Sequence, residues 1–154
     1  MLQLDKTTEE FHGDRSRIYL TGFSMGGAGT YRMAHRWSER FAALLVVAGP
    51  VESGVAGPKT DAAVARDRQA NPYTATTDPF AALATGIRSL PILVFHGDAD
   101  QSVSVEQSRR IVAALKSAGA RVEYTEYPGL GHGEAAAQAL NATESISWLL
   151  AQHR

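Results

Sequence analysis

Two continuous apolar runs constrain this chain more than any other feature. They are Ala43-Leu44-Leu45-Val46-Val47, closed by Gly49-Pro50, and Ile92-Leu93-Val94-Phe95, opened by Pro91. A strand with one wet face alternates apolar and polar residues; a run without alternation belongs to a strand buried on both faces, as in parallel sheets covered by helices. Arg17-Ile18-Tyr19-Leu20-Thr21 is short and rich in β-formers, and Arg121 to Tyr127 alternates, so both read as strands. Helical spacing fills the gaps. Met33, Ala34 and Trp37, then Phe41, mark a helix over about 26–38, and Val105, Ser108, Ile111, Val112 and Leu115 mark one from Ser104 to Gly119. Ala139, Ala142, Ile146 and Leu149 predict a last helix over about 134–152. Leu4, Thr8 and Phe11 suggest one apolar side of a helix before the first strand. Strands separated by helices predict about four parallel strands in a three-layer α/β domain.

Residues 49–90 differ. They hold Pro50, Pro58, Pro72 and Pro79, several glycines and no long apolar run. The segment reads as a loop-rich insert with short helices around 60–69 and 79–86, and a loop of this length suits a binding or lid role. At 154 residues the whole chain, 1–154, fits one domain.

Composition excludes several function classes. Net charge is −1 with no basic stripe, which argues against nucleic acid as a partner. No run approaches the roughly 20 apolar residues of a membrane span. The first residues turn polar at once, unlike a signal peptide, and nothing in the sequence assigns a compartment. There is no cysteine, which removes disulfides, thiolate metal sites and cysteine nucleophiles. The five histidines include no pair at the i, i+4 spacing of a helical zinc site, so no metal is expected. No Gly-x-Gly-x-x-Gly run follows the first strand, and no cofactor is expected.

The chemistry centres on Gly22-Phe23-Ser24-Met25-Gly26, which follows a strand and opens a helix. That is the context of a nucleophile elbow. The turn is sharp, and Gly22, Gly26 and Gly27 are expected to supply the room it needs. Ser24 projects at the head of the helix, and the backbone N–H of Met25 faces a developing oxyanion with the helix dipole behind it. A serine needs a base, and the base an orienting acid. His132, in Gly129-Leu130-Gly131-His132-Gly133, lies just past the fourth strand. Two carboxylates compete in His96-Gly97-Asp98-Ala99-Asp100, after the third. Asp98 sits in the turn and can cap it as an Asx-type acceptor; Asp100 lies further out, within reach of His132, and is the preferred acid. His96 reads as a structural residue packed beneath the acid loop. Tyr19 and Trp37 read as packing, Trp148 as partly exposed, and Glu9-Glu10 and Arg109-Arg110 as solvated surface.

With these residues in hand, a resemblance is visible. Asp14 to Gly27 resembles the elbow region of α/β-hydrolase esterases related to polyhydroxybutyrate depolymerases, feruloyl esterases and the predicted peptidases of that group. Pro91 to Val103 resembles their acid loop, His-Gly-x-x-Asp-x-x-Val, and Gly131-His132-Gly133 their histidine loop. The resemblance implies an α/β-hydrolase sheet, places the acid on Asp100, and matches the chain order serine, acid, histidine. It covers most of the chain outside 50–90. Complete members carry several strands before the elbow, so this sequence looks like the C-terminal half of such a domain. Two expectations follow. Only Met25 N–H is assignable as an oxyanion donor. The strand 17–21 becomes a sheet edge, which invites pairing with a second copy in a homo-oligomer, most simply a dimer.

The resulting expectation is a serine hydrolase acting on a small-molecule ester with a short acyl chain. The same triad acting on amides or peptides is an alternative, and a weakly active fragment serving as a folding or binding module is another.

Overall fold

The computed structural model describes residues 2–52 and 72–154. Helix α1 (Leu2–Glu10) leads into strand β1 (Tyr19–Phe23), helix α2 (Met25–Arg36) and strand β2 (Ala43–Val47). Helix α3 (Pro79–Ile87), strand β3 (Ile92–Gly97), helix α4 (Glu106–Ser117) and strand β4 (Val122–Tyr127) follow. Helices α5 (His132–Asn141) and α6 (Thr143–Leu150) close the chain. The expected helix at 60–69 lies outside the described residues.

The four strands form one sheet in the order β1-β2-β3-β4, and every pairing is parallel. This is a truncated α/β-hydrolase-like sheet with helices on both faces. The apolar runs explain the layering. Leu44, Val46, Ile92 and Val94 point to one face, where they meet Tyr31 and Ala34 of α2, Phe80, Leu83 and Ile87 of α3, and Ile111 and Leu115 of α4. Ala43, Leu45, Val47, Leu93 and Phe95 point to the other, against Ala136 and Ala139 of α5 and Leu149 of α6. Successive strand residues alternate between faces, so a run apolar at every position feeds both cores. β2 is buried along its whole length, while β4 keeps an alternating pattern at the far edge.

Several expectations shift. β1 starts and ends two residues later than expected and carries the strand through Phe23, so the elbow springs directly from its end. α2 turns Gly27, Ala28, Thr30, Tyr31 and Ala34 inward, while Met33 lies on its exposed side. Phe11 follows the end of α1 and is 73% exposed, so it adds nothing to that helix's apolar side; Leu4 does pack on the core. The single last helix is two. Ala142 adopts φ −71° and ψ 122°, an extended conformation that stops the i→i−4 ladder. The inner stripe restarts with Ser145 and Leu149, and Ile146 turns out to 43% exposure. Arg109 and Arg110 are exposed, as expected, and also paired: Arg109 bridges Glu106 and Glu126, and Arg110 pairs with Glu52 and lies over the Phe80 ring.

Candidate active site

The strand ends decide where the chemistry collects. In parallel α/β sheets the loops at the carboxyl ends of neighbouring strands meet. Here these are the β1–α2 turn with Ser24, the β3–α4 loop with Asp98 and Asp100, and the β4–α5 loop with His132.

Ser24 sits between β1 and α2 with φ 54° and ψ −120°. A non-glycine residue at positive φ outside the usual left-handed well is strained and persists only where its surroundings enforce it. Two groups enforce it. Ser24 N–H donates to Val47 O at 2.9 Å, and Ser24 O accepts from Ala28 N–H at 3.1 Å. Of the three elbow glycines, two are sterically required. A Cβ on Gly22 would press on Gly26 backbone and stand 2.6 Å from Thr30 Oγ1; one on Gly27 would come within 2.7 Å of Gly49 Cα. Gly26 has open space where its Cβ would be, so this motif glycine supplies no needed room among the described residues. Met25 opens the helix, and its N–H is therefore one of the first-turn donors without an intrahelical acceptor. Its side chain is 81% exposed.

The acid and histidine loops are stitched together. Asp98 N–H donates to Tyr127 O at 3.1 Å, and Ala99 N–H to Leu130 O at 3.2 Å. Gly97 allows this approach: a Cβ there would strike Leu130 backbone. Asp98 Oδ1 accepts from Gly129 N–H at 2.6 Å. Asp98 thus joins the two loops instead of capping its own turn.

Asp100 faces the histidine. His132 Nδ1 lies 2.6 Å from Asp100 Oδ2, and the Asp100 side chain is fully buried. The other oxygen, Oδ1, accepts from Ser102 N–H at 2.8 Å and Val103 N–H at 2.9 Å. Burial pushes the Asp100 carboxyl up, but the Val103 N–H, the His132 ring and the Ser102 N–H outweigh it and hold the group below the ordinary carboxylate value. His132 is the first residue of α5, whose entry is fixed by Glu134 accepting from Gly131 N–H at 2.8 Å. Its ring packs on Phe23, with centroids 4.5 Å apart. Phe23 precedes Ser24, so this contact brings the histidine beside the elbow. Among the described residues, Ser24 Oγ has no hydrogen-bond partner, so the structure joins Asp100 to His132 directly and Ser24 to them only through the Phe23 packing. Such contacts commonly tighten only when substrate binds.

His96 is part of this cluster to a degree its position in the sequence does not suggest. It is fully buried at the end of β3, with Nε2 3.2 Å from Asp100 Oδ2. Its proximity to the acid at i, i+4 was the available signal. No group of three side chains able to hold a metal occurs among the described residues, and no helix there is long and apolar enough to cross a membrane.

The fold is that of an esterase-like protein of the α/β-hydrolase superfamily. Comparison with known proteins narrows this: the sequence profile of the prolyl oligopeptidase family matches residues 1–153, and the chain belongs to that family. It is 28% identical over 116 residues to acyl-protein thioesterase 1 of Gibberella zeae, a match over 75% of this chain and 41% of the thioesterase. Among solved structures it resembles a thermostable esterase with 29% identity and a TM-score of 0.71, covering 99% of this chain and 36% of that one. A ferulic acid esterase shares the fold at 23% identity and a TM-score of 0.71, covering 96% of this chain and 57% of that one. The chain therefore spans roughly a third to three-fifths of these proteins' length.

Proposed function

We propose that this chain is a single, partial α/β-hydrolase domain, 1–154, whose triad Ser24, Asp100 and His132 cleaves short-chain carboxylic esters through an acyl-enzyme. The observation that carries this reading is the 2.6 Å contact between a buried Asp100 and His132, set beside a serine held at φ 54°. Ser24 Oγ attacks the acyl carbon while His132 Nε2 takes its proton. Asp100 keeps the Nδ1–H tautomer and stabilises the imidazolium. The alcohol leaves with the proton from His132. Water then attacks the acyl-enzyme as His132 accepts its proton, and His132 returns that proton to Ser24 Oγ as the acyl–oxygen bond breaks and the acid departs. Met25 N–H stabilises the oxyanion. With only this donor assigned, turnover is expected to fall roughly 100- to 1000-fold below a two-donor site. The loop-rich insert, 49–90, is the natural source of substrate contacts.

Fluorophosphonate labelling and hydrolysis of aryl acetate or butyrate esters test this. Both are expected for the wild type and lost in Ser24→Ala. Turnover undiminished in that variant overturns the mechanism. A second reading, the same triad acting on amides or peptides, is favoured by the family match; paired ester and anilide substrates separate the two. A third, a weakly active folding or binding module, draws on the fraction of its relatives that the chain spans, and slow labelling would favour it. β1 lies at the sheet edge, and we propose a homodimer formed through this side. A stable monomer by light scattering at micromolar concentration excludes it.

A further inference from the structure

We propose that His96 is a positioning residue for the acid: its Nε2–H holds Asp100 Oδ2 in the orientation that His132 needs. The proposal rests on the triad reading above. Three contacts carry it. His96 Nε2 is 3.0 Å from Val103 O and 3.2 Å from Asp100 Oδ2, and Nδ1 is 2.7 Å from Ser108 Oγ. A carbonyl oxygen only accepts, so Nε2 carries the hydrogen. In the neutral ring Nδ1 then accepts the Ser108 hydroxyl proton, and both ring nitrogens are satisfied in a site with no solvent exposure. The Nε2–H is shared between Val103 O and the carboxylate.

The result is a closed arrangement. Val103 donates its N–H to Asp100 Oδ1 and accepts from His96 with its carbonyl. Two backbone N–H groups pin Oδ1; His96 and His132 meet at Oδ2. A carboxylate held only at Oδ1 is free to swing Oδ2 away from His132. The His96 donor opposes that swing, and so indirectly fixes which nitrogen of His132 is left to face Ser24. The groups around His96 are Asp100 on its own loop, Ser108 on α4 and Glu126, its register partner on β4. Glu126 is already engaged by Arg109 and by the Tyr124 hydroxyl. A merely structural histidine would need only the Ser108 and Val103 contacts; the approach to Oδ2 sets this one apart.

The test compares His96→Gln, which can keep a donor near the Nε2 position, with His96→Met, similar in size and without one. Both are made in the wild type and in Asp100→Ala, with an aryl acetate as substrate. His96→Met is expected to lower kcat by roughly 10- to 100-fold with KM little changed, the usual scale for outer-shell partners. His96→Gln recovers most of that loss. In Asp100→Ala, His96→Met has no further effect, because residues acting as one unit are non-additive. Equal activity of the Gln and Met variants, or a Met effect that persists without Asp100, overturns the positioning role. Wild-type turnover in Asp100→Ala sinks the triad reading instead. Independently of turnover and of whether either variant folds, imidazole nitrogen chemical shifts of the wild-type protein must report His96 protonated at Nε2. A bare Nε2 overturns the proposal.

Discussion

Asp100 Oδ2 lies 2.6 Å from His132 Nδ1, while Asp98, two residues earlier, spends its carboxylate 2.6 Å from Gly129 N–H. One acid faces the ring and the other ties the loops, so the two predict different phenotypes. Asp100→Asn removes the charge behind His132 and favours the wrong tautomer; kcat on an aryl ester is expected to fall by about 1000- to 10,000-fold. Asp98→Asn retains an acceptor for Gly129 and is expected to cost far less. Steady-state kinetics of both variants check the assignment, and the reverse ranking would move the acid to Asp98.

The elbow glycines separate in the same way. Gly22→Ala forces a methyl into Gly26 backbone and Thr30 Oγ1, where no flexible side chain can give way. The expected cost is about 3 kcal/mol. Gly26→Ala meets nothing among the described residues and sits on an exposed helical turn, so it should stabilise by a few tenths to about 1 kcal/mol. Urea denaturation distinguishes them; equal destabilisation by both would contradict the steric account.

Tyr31 is completely buried, and among the described residues its hydroxyl has no hydrogen-bond partner. Burial of that unpaired group raises its pKa and is a standing cost to the fold. Tyr31→Phe removes the cost and keeps the ring. We expect a higher urea midpoint with an unchanged slope, worth about 1 kcal/mol. A drop in midpoint would mean that the hydroxyl is satisfied in solution.

Glu126 supplies a pH signature. Hydrogen bonds from Arg109 and Tyr124 lower its pKa from the ordinary 4.5 to about 2. A depressed acid contributes stability that is present above its unfolded value and lost as pH falls through its folded one. Part of the acid destabilisation between about pH 4.5 and pH 2 therefore belongs to Glu126. In Glu126→Gln, the stability deficit relative to wild type should shrink steadily over that window. A deficit constant with pH would show that the ion pair adds nothing.

The sequence alone determined the sheet and the order of its parts. Two short uninterrupted apolar runs, rich in β-formers and bounded by Gly49-Pro50 and Pro91, read as strands covered on both sides, and that signal is local to each run. The strand-to-helix elbow at Ser24, the acid loop after β3 and the histidine loop after β4 were legible for the same reason. Tertiary structure decided what depends on residues distant in the chain. Gly26 was expected to make room, yet among the described residues nothing packs against it. The break at Ala142, where two good helical stretches meet, rotates Ile146 outward despite its apolar spacing. Asp98 spans 31 residues to Gly129 instead of capping its own turn. His96 and Asp100 are four residues apart in sequence, but the Ser108 and Val103 contacts that orient the ring exist only once α4 packs on β3. Periodicity records which residues are buried. It does not record which donor meets which acceptor in a place where water can no longer serve either one.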